Sequence, residues 1–384
     1  MLDTSVRYYD STMAGAPALP GVAGALIGLL DACLKDGFGT VTLNSLVVSG
    51  NVATGTVSAG HGFAMVGGAV GPVITIAGAT PAGLNGTWRI ASVPNSTTFT
   101  FSTSGIADQT ATGTITAKRA PLGFSKVFSG TNKAVYRADD VASSRLYLRV
   151  ADDGTGAATY ARVRGFETMS DVDTGTGPYP TDAQYSGGMY WGKSSAANST
   201  ARAWRLIGDS QGFALFVNHD GAGGWIGGLF VDIASEKAGD AYRSLLIGSP
   251  TATVSGMCYL PFTNNNSSNF MARSYTQTGS SVAVSKDTHR LSQSGMGAAG
   301  TGNSYPSPVG NQFYCAPVDI WETGSLLRGI LPGIYSPLHT ALSLTDGAVM
   351  TSVEGLPGRS LLIQRLSNSG TAYAVAIDIT GPWR

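Results

Sequence analysis

The sequence GDSQG at residues 208–212 has the spacing GxSxG, in which serine hydrolases place their nucleophile. Such a serine must lie between a strand and a helix, because the helix N-terminus helps to form the oxyanion hole. The preceding ARAWRLI predicts a strand, and FALFVN after it alternates Phe213, Leu215 and Val217 as a second strand does. We therefore interpret residues 209–212 as a hairpin turn and predict no catalytic residue.

A second stretch, DVDTG at residues 171–175, begins like a calcium-binding loop because Asp171 and Asp173 alternate ahead of a glycine. The EF-hand spacing also needs a third oxygen ligand and a bidentate glutamate, and both are missing. The pattern favours a turn stabilised by aspartate side chains, with a weakly bound cation as the alternative. We predict no metal site and no cofactor.

Two apolar, glycine-rich stretches could instead contact another molecule. The loop AMVGGA at residues 64–69 is apolar where a polar turn is expected, and GGWIGG at 223–228 sets a tryptophan among glycines. A core position is the alternative for this tryptophan, since tryptophan is highly buried on average. The candidate contact residues are Met65, Val66, Trp191, Trp225 and Ile226.

Composition limits the partners that these residues could serve. The chain has 384 residues, 24 Lys and Arg, 24 Asp and Glu, and only 12% charged residues. Without a basic excess, nucleic acid is excluded as the main partner. Residues 16–34 are apolar but contain Pro17, Pro20 and Asp31, which argues against a membrane span and favours a short buried helix over 23–34. Three distant cysteines without a CxxC pair indicate neither a zinc site nor a disulfide framework.

The elements that must position these residues are mostly strands. Short β-branched segments such as PVITIAG, GTWRIASV and TTFTFST recur with Gly, Pro and Asn between them. The fold class is predicted as mainly β, with several β-sandwich or barrel-like modules and one short N-terminal helix. The predicted division is an N-terminal helical segment over 1–43 that packs on the main body, a small immunoglobulin-like β-sandwich over 44–117, a β-rich main domain over 118–250, and a loop-rich β region over 251–384 that belongs to the main body.

Two segments are predicted to lack regular structure. Residues 251–300 are rich in Ser, Thr, Asn and Gly, which indicates a long surface loop. The stretch LLRGILPGIYSPLH, residues 326–339, contains prolines and glycines that argue against a strand.

Several stretches together resemble a known class of protein. GHGFAMVGGAVGPVITIAGATPAGLNGTWRIASVPNSTTFTF is similar to a small β domain of tailed-phage and prophage virion proteins. RYYDSTMAGAPALPGVAGALIGLLDACLKDGFG, FSGTNKAVYRADD, YARVRGFETMSDVDTGTGPYP and the ending LLRGILPGIYSPLH…GLPGRSLLIQRL…GPWR resemble prophage structural proteins. The resemblance implies a virion structural protein of the tail, at its tip or baseplate, and carries over no catalytic residue.

Three functions follow as hypotheses. The first is a non-enzymatic part of a phage tail, made in the host cytoplasm and assembled with itself as a trimer or hexamer and with other tail proteins. The second is a module that binds saccharide or protein on the host surface through residues 44–117 and 264–280, with Trp88, Trp191 and Trp225 exposed. The third, and weakest, is a serine esterase that uses Ser210. Neither nucleic acid binding nor membrane insertion is expected.

Overall fold

A computed structural model of the chain describes residues 2–155, 157–253, 256–257, 266–288, 304–323, 326–368 and 371–384. The fold is mainly β, with several curled sheets and a short N-terminal helix, which confirms the predicted fold class. Helix α1 covers Ala25–Leu30 and continues as a π-helical turn over Asp31–Asp36, and single 3₁₀ turns cover Ala82–Leu84, Asn266–Ser268 and Ala341–Ser343. The strands are β1 Arg7–Asp10, β2 Phe38–Thr42, β3 Ser45–Ser49, β4 Val52–Thr56, β5 Val73–Ala77, β6 Gly86–Asn95, β7 Thr98–Ser102, β8 Gln109–Thr110, β9 Thr116–Arg119, β10 Phe124–Gly130, β11 Lys133–Ala138, β12 Tyr147–Ala151, β13 Tyr160–Met169, β14 Gly175–Tyr179, β15 Met189–Gly192, β16 Trp204–Asp209, β17 Gly212–Asn218, β18 Trp225–Asp232, β19 Ala234–Ser235, β20 Ser244–Ile247, β21 Asn269–Met271, β22 Val282–Thr288, β23 Cys315–Glu322, β24 Leu326–Pro337, β25 Val349–Met350, β26 Leu361–Asn368 and β27 Thr371–Asp378.

Strands β2 to β9 form one small curled sheet around a core of its own, which we call the barrel. Strand β4 pairs with β3 and β7, β7 with β6, β6 with β5, β5 with β9, and β9 with β2, which leads directly into β3. The order of the strands is β2-β9-β5-β6-β7-β4-β3-β8, so β2 lies at one end of the path and β3 and β8 lie at the other. Between residues 38 and 119, all of which the structure describes, the connection from β2 to β3 is made by the chain and not by strand pairing. Alternation along β6 and β7 directs Trp88, Ile90, Phe99 and Phe101 into one core, where the rings of Trp88 and Phe101 are 5.0 Å apart.

The chain enters and leaves this barrel at neighbouring points. Phe38 at the start of β2 is paired with Arg119 at the end of β9. Just outside the barrel, the amide of Leu122 donates to the carbonyl oxygen of Cys33 at 2.9 Å, and the amide of Gly123 donates to that of Leu34 at 3.0 Å. The barrel is therefore an insertion into the chain of the main body.

The main body contains two further sheets. Strands β10 to β14 form an antiparallel sheet in sequence order, to which β15 adds by pairing with β13. The largest sheet runs β1-β16-β17-β18-β20-β21-β22-β23-β24-β27-β26-β25, with β19 beside β24. It curls until β18 packs against β26, and a single core cluster spans both sheets and α1. We call these two sheets and α1 the main body.

Helix α1 is held by a buried ion pair rather than by a capping residue of its own. Asp152 accepts a hydrogen bond from the Leu26 amide at 2.8 Å and another from the Lys193 ammonium, and both side chains of the pair are fully buried. Lys193 also donates to the carbonyl oxygen of Val22 at 2.6 Å. A carboxylate at the first turn satisfies an amide that the helix itself cannot. The N-terminal segment is thereby joined to β12 and β15.

The prediction that residues 326–339 lack regular structure is wrong. Strand β24 runs through most of them and is twelve residues long. Its register against β23 shifts opposite Pro317, so that residues 331–334 bulge away, and Pro332 lies in this bulge. Proline and glycine are tolerated in sheets at such bulges, because no ladder hydrogen bond is lost there.

The prediction of a surface loop over 251–300 is wrong for residues 266–271 and 282–288, which form a 3₁₀ turn and two strands, whereas residues 272–281 do lack regular structure. Strands β21 and β22 lie in the middle of the largest sheet, and Asn269 and Phe270 are buried. Residues 254–255, 258–265 and 289–300 lie outside the described residues. Polar composition misled the interpretation because a polar side chain can be buried where it has a hydrogen-bond partner: Asn269 donates to the Val284 carbonyl oxygen at 3.2 Å.

Candidate functional site

Ser210 lies in a two-residue turn, as the alternation of the flanking strands predicted. Strands β16 and β17 pair up to Asp209 and Gly212, which confirms the hairpin. The Ser210 hydroxyl donates to a carboxylate oxygen of Asp140 at 2.6 Å, and the Ala142 amide donates to the other oxygen of this carboxylate at 2.8 Å. A serine that donates to a carboxylate in a turn is a structural hydrogen bond, because a nucleophile needs a base that orients it for attack.

The histidines that could complete a triad have other partners. His219 shares a short hydrogen bond between its Nδ1 and the Gly224 carbonyl oxygen. His339 accepts a hydrogen bond at Nε2 from the Tyr314 amide at 2.9 Å. His289 lies outside the described residues. Within them, neither histidine is set beside Ser210 by a hydrogen bond, which triad geometry requires.

We expect Ser210→Ala to leave ester hydrolysis unchanged. Both the wild type and the variant should hydrolyse p-nitrophenyl acetate at the rate of a protein-free blank, because the hydroxyl of Ser210 is engaged with Asp140. Stability should fall by about 0.5–1.5 kcal/mol through the lost hydrogen bond. A wild-type rate above the blank that the variant abolishes would establish the esterase hypothesis instead.

The aspartates at 171 and 173 form a turn, which confirms the favoured interpretation. Asp171 accepts hydrogen bonds from the amides of Asp173 at 2.7 Å and of Thr174 at 2.8 Å. Asp173 pairs with Arg149 and with Lys133, and the hydrogen bond from Arg149 contributes most to lowering its pKa. A carboxylate that already lies between two cations is a poor ligand for a third.

Three of the five candidate contact residues belong to the core. Trp191 is 2% exposed, Trp225 7% and Ile226 1%, so these side chains could meet another molecule only if the core opened. The indole of Trp191 donates to the Ile247 carbonyl oxygen at 2.9 Å and joins β15 to the largest sheet. Trp88 is 7% exposed as well. The exposed aromatic platform of the host-binding hypothesis is therefore not formed by Trp88, Trp191 and Trp225.

One of the glycines near Trp225, Gly228, makes room for Trp191. A Cβ atom at Gly228 would lie 2.2 Å from the Trp191 indole nitrogen, far inside van der Waals contact. We expect Gly228→Ala to lower the free energy of unfolding by about 1–3 kcal/mol, because the ring or the strand must move. Denaturant unfolding measures this, with Gly28→Ala in α1 as the control.

At Gly28 an added Cβ meets nothing within 4 Å, so alanine should be neutral or stabilising by about 0.4–1 kcal/mol. If Gly228→Ala and Gly28→Ala change the free energy of unfolding equally, the space that Gly228 leaves beside Trp191 does not contribute to stability.

The other two candidates, Met65 and Val66, lie where the barrel meets the main body. Both are half-buried. Met65 packs against the barrel core and Val66 against the core of the main body. The main chain of Gly67 lies against Val349, since a Cβ there would be 2.5 Å from the valine Cβ. The apolar loop at 64–69 therefore contacts the chain's own main body.

Arg89 fastens the barrel beside this loop. It lies in β6, is 8% exposed, and donates to backbone carbonyl oxygens only. Its acceptors are Gly71 in the barrel at 2.8 Å, Val6 at 2.6 Å, Thr380 at 3.4 Å and Asp3. One guanidinium thus ties the barrel to two distant segments of the chain. We call this group of contacts the arginine joint.

Arg119 makes a second connection. It is 2% exposed and donates to the carbonyl oxygens of Ala14 at 3.1 Å and Gly62 at 2.7 Å. The rings of Phe38 and Phe63 lie 5.4 and 5.3 Å from its guanidinium carbon, within reach of a cation–π interaction. Burial lowers the pKa of Arg119 to about 10, so it stays charged at neutral pH.

A cleft of about 300 Å³ opens between the barrel and the main body at this point. One wall is the loop with Met65 and Val66, and the other is formed by β1 and the strands β16 and β26. Arg119 and Arg205 contribute its cations and Asp10 its carboxylate. This cleft is the candidate functional site, since it combines charged groups, apolar walls and a position between two units.

Sequence reasoning found the loop but missed both arginines. Arg89 lies between Trp88 and Ile90, and Arg119 lies at the end of the last barrel strand, where a charged residue looks like a solvent-facing one. Their acceptors are main-chain carbonyl oxygens, which have no residue-type signature. The one available signal concerns Arg119, which alternation along β9 places on the same face as buried Ala117, whereas Arg89 lies on the face opposite Trp88 and Ile90.

No protein-family model matches the chain, and a comparison with curated proteins found no similar sequence. In the part of the chain that the structure describes, no helix is long and apolar enough to cross a membrane.

Proposed function

We propose that this chain is a non-enzymatic structural component of a tailed-phage virion, in the tail tip or baseplate. It acts by assembly with copies of itself, as a trimer or hexamer, and with other tail proteins. The resemblance of residues 60–101 and of the other quoted stretches to virion proteins supports the source. The neutral charge balance, 24 basic against 24 acidic residues, supports close packing with neighbours, because charge repulsion does not oppose it.

The observation that carries the proposal is the arginine joint. Modules connected by open linkers move relative to one another, whereas Arg89 fixes the barrel through four carbonyl acceptors from three parts of the chain. A particle component must present its surfaces at a set angle to form a closed symmetric ring. A fixed barrel suits that role better than a freely hinged one.

Purified particles provide the test. Particles from lysates of a strain that carries this gene are separated on a density gradient and probed with an antibody against the chain. We expect the chain to band with tail-bearing particles, and the purified chain to have the mass of a trimer or hexamer under native conditions. A chain that is strictly monomeric and absent from the particles would overturn the proposal.

A further inference from the structure

The barrel carries almost no charge, in contrast to the rest of the chain. Among residues 44–117, all of which the structure describes, Arg89 and Asp108 are the only Lys, Arg, Asp or Glu. Arg89 is buried in the arginine joint. Asp108 is exposed and accepts a hydrogen bond from the Gly50 amide at 2.9 Å. A protein surface that meets only water usually has charge on about a quarter of its residues or more, and the barrel surface departs from this pattern.

The outer face of strands β3, β4 and β7 combines valines with hydroxyl side chains. Val47 lies opposite Thr54, which in turn lies opposite Thr100. Alternation along each strand turns these side chains away from the barrel core. We call this surface the valine face, and its members are Val47, Val52, Thr54, Thr56, Thr98 and Thr100.

The centre of the valine face is apolar and exposed. Val47 is 37% exposed and Val52 41%. The two are diagonal neighbours, because Val47 pairs with Thr54, which is two residues after Val52 in β4. Two exposed valines among uncharged threonines have the composition of the middle of a protein interface, where charged residues are depleted.

Hydroxyl groups beside the valines already have partners. Ser45 and Thr56 share a hydrogen bond between their hydroxyls at 2.7 Å, and Ser92 and Thr100 share another at 2.7 Å. A polar group that keeps a hydrogen-bond partner when it is covered avoids much of the cost of leaving water. The valine face can therefore be covered by another protein surface at little cost in hydrogen bonds.

The lack of charge indicates what kind of surface fits the valine face. A charged group pressed against it would lose water and find no group of opposite charge, which is unfavourable. The partner surface should therefore be uncharged as well. Because all other charged residues of the chain lie outside residues 44–117, the best match on a second copy is the same face.

We propose that the valine face binds the valine face of a second copy of this chain. Each face then contacts its equivalent, which gives the contact two-fold symmetry. The inference rests on the proposed function and makes the assembly more specific. A trimer has no two-fold axis, whereas a hexamer made of two trimers has them. The valine face thus joins two trimers into a hexamer.

The native mass of the full-length chain and of its Val47 variants tests the inference. We expect the wild type to be a hexamer and Val47→Lys a trimer, because the two-fold axis brings two lysines into one uncharged contact. Val47→Glu should be a trimer as well, and an equimolar mixture of the two variants should recover the hexamer mass. Val141→Lys is the matched control, since Val141 is 85% exposed between β11 and β12 of the main body, and this variant should stay hexameric.

The outcomes separate this inference from the proposed function. A wild-type trimer, or a Val47→Lys protein with the hexamer mass, overturns the contact and leaves the tail assembly in place. A dimer that Val47→Lys splits would keep the contact but contradict the trimer or hexamer. A monomeric wild type overturns the contact, and its absence from particles overturns the proposed function too. If Val47→Lys fails to fold, Val52→Lys gives the same test from the neighbouring strand.

Discussion

Arg328→Met should lower the free energy of unfolding by about 3–5 kcal/mol. Arg328 is 2% exposed. Its Nε and Nη2 donate to the two carboxylate oxygens of Asp240, each at 2.9 Å, and its Nη1 donates to Glu322. Removal of the guanidinium leaves two buried carboxylates without their cation, which is far costlier than the loss of an exposed pair.

Urea unfolding followed by tryptophan fluorescence measures this change. Trp88 is the single tryptophan of the barrel, so most of the signal comes from the main body, where Arg328 joins β24 to Asp240. Lys35→Met is the control. The Lys35–Asp36 pair is exposed, with side-chain exposures of 38% and 52%. Its loss should change the free energy of unfolding by less than about 1 kcal/mol.

A second set of substitutions separates charge burial from packing. When Asp240→Asn and Glu322→Gln accompany Arg328→Met, the buried negative charges are gone, and more than half of the lost stability should return. If Arg328→Met alone lowers the free energy of unfolding no more than Lys35→Met does, the buried contacts of Arg328 with Asp240 and Glu322 do not stabilise the fold.

Arg89→Met should detach the barrel from the main body without unfolding it. Each hydrogen bond from a charged donor contributes about 1.5–3 kcal/mol, and Arg89 makes three to segments outside the barrel. The barrel keeps its strand pairings and its own core. We therefore expect one cooperative unfolding transition to split into two, and limited proteolysis to release a fragment that corresponds to the barrel.

The conservative variant makes the prediction specific. Arg89→Lys keeps the charge but has a single nitrogen for acceptors that lie in different directions, so we expect an intermediate effect. Hydrogen exchange of the amides of β1 follows the same joint, since Val6 precedes this strand. An Arg89→Met protein with a single transition and wild-type exchange in β1 would show that the joint rests on other contacts.

The individual strands of the barrel could be predicted from sequence because one face of each is apolar. Phe99 and Phe101 alternate with threonines, and both are fully buried. The turn between β3 and β4 could also be predicted, because glycine and asparagine favour positive φ angles, and Gly50 and Asn51 both adopt them. What alternation along single strands cannot predict is the order of the strands in the sheet, which depends on pairs far apart in the chain, such as β2 with β9 and β4 with β7.

Composition misled in the main body for a physical reason. Residues 282–288 and 326–337 look like loops because they are polar or carry proline and glycine. In the structure, partners in other strands satisfy the polar groups, and a bulge accommodates Pro332. Both the partners in other strands and the bulge come from tertiary structure, which the residues of one short sequence segment do not reveal.

The candidate site could be predicted only in part. The loop at 64–69 stood out because its apolar residues occur where a polar turn is expected, and it does form one wall of the cleft. Arg119 and Arg205 did not stand out, since an arginine in a strand is usually exposed. The burial of Arg119 depends on the contact between the barrel and the main body, since its acceptors are Gly62 and Ala14, and the partners of Arg205 are distant in sequence, at Asp346 and Gln364.

The neighbouring entry and exit points of the barrel have an evolutionary consequence. Because the Cys33 and Leu34 carbonyls are hydrogen-bonded to the amides just after the barrel, the main body already has a closed path at that point. A gene could gain, lose or replace the intervening segment in a single recombination event, and the largest sheet would keep its strand order. The arginine joint limits such an exchange. A replacement module must contain a side chain that donates to the carbonyl oxygens of Asp3, Val6 and Thr380, as Arg89 does.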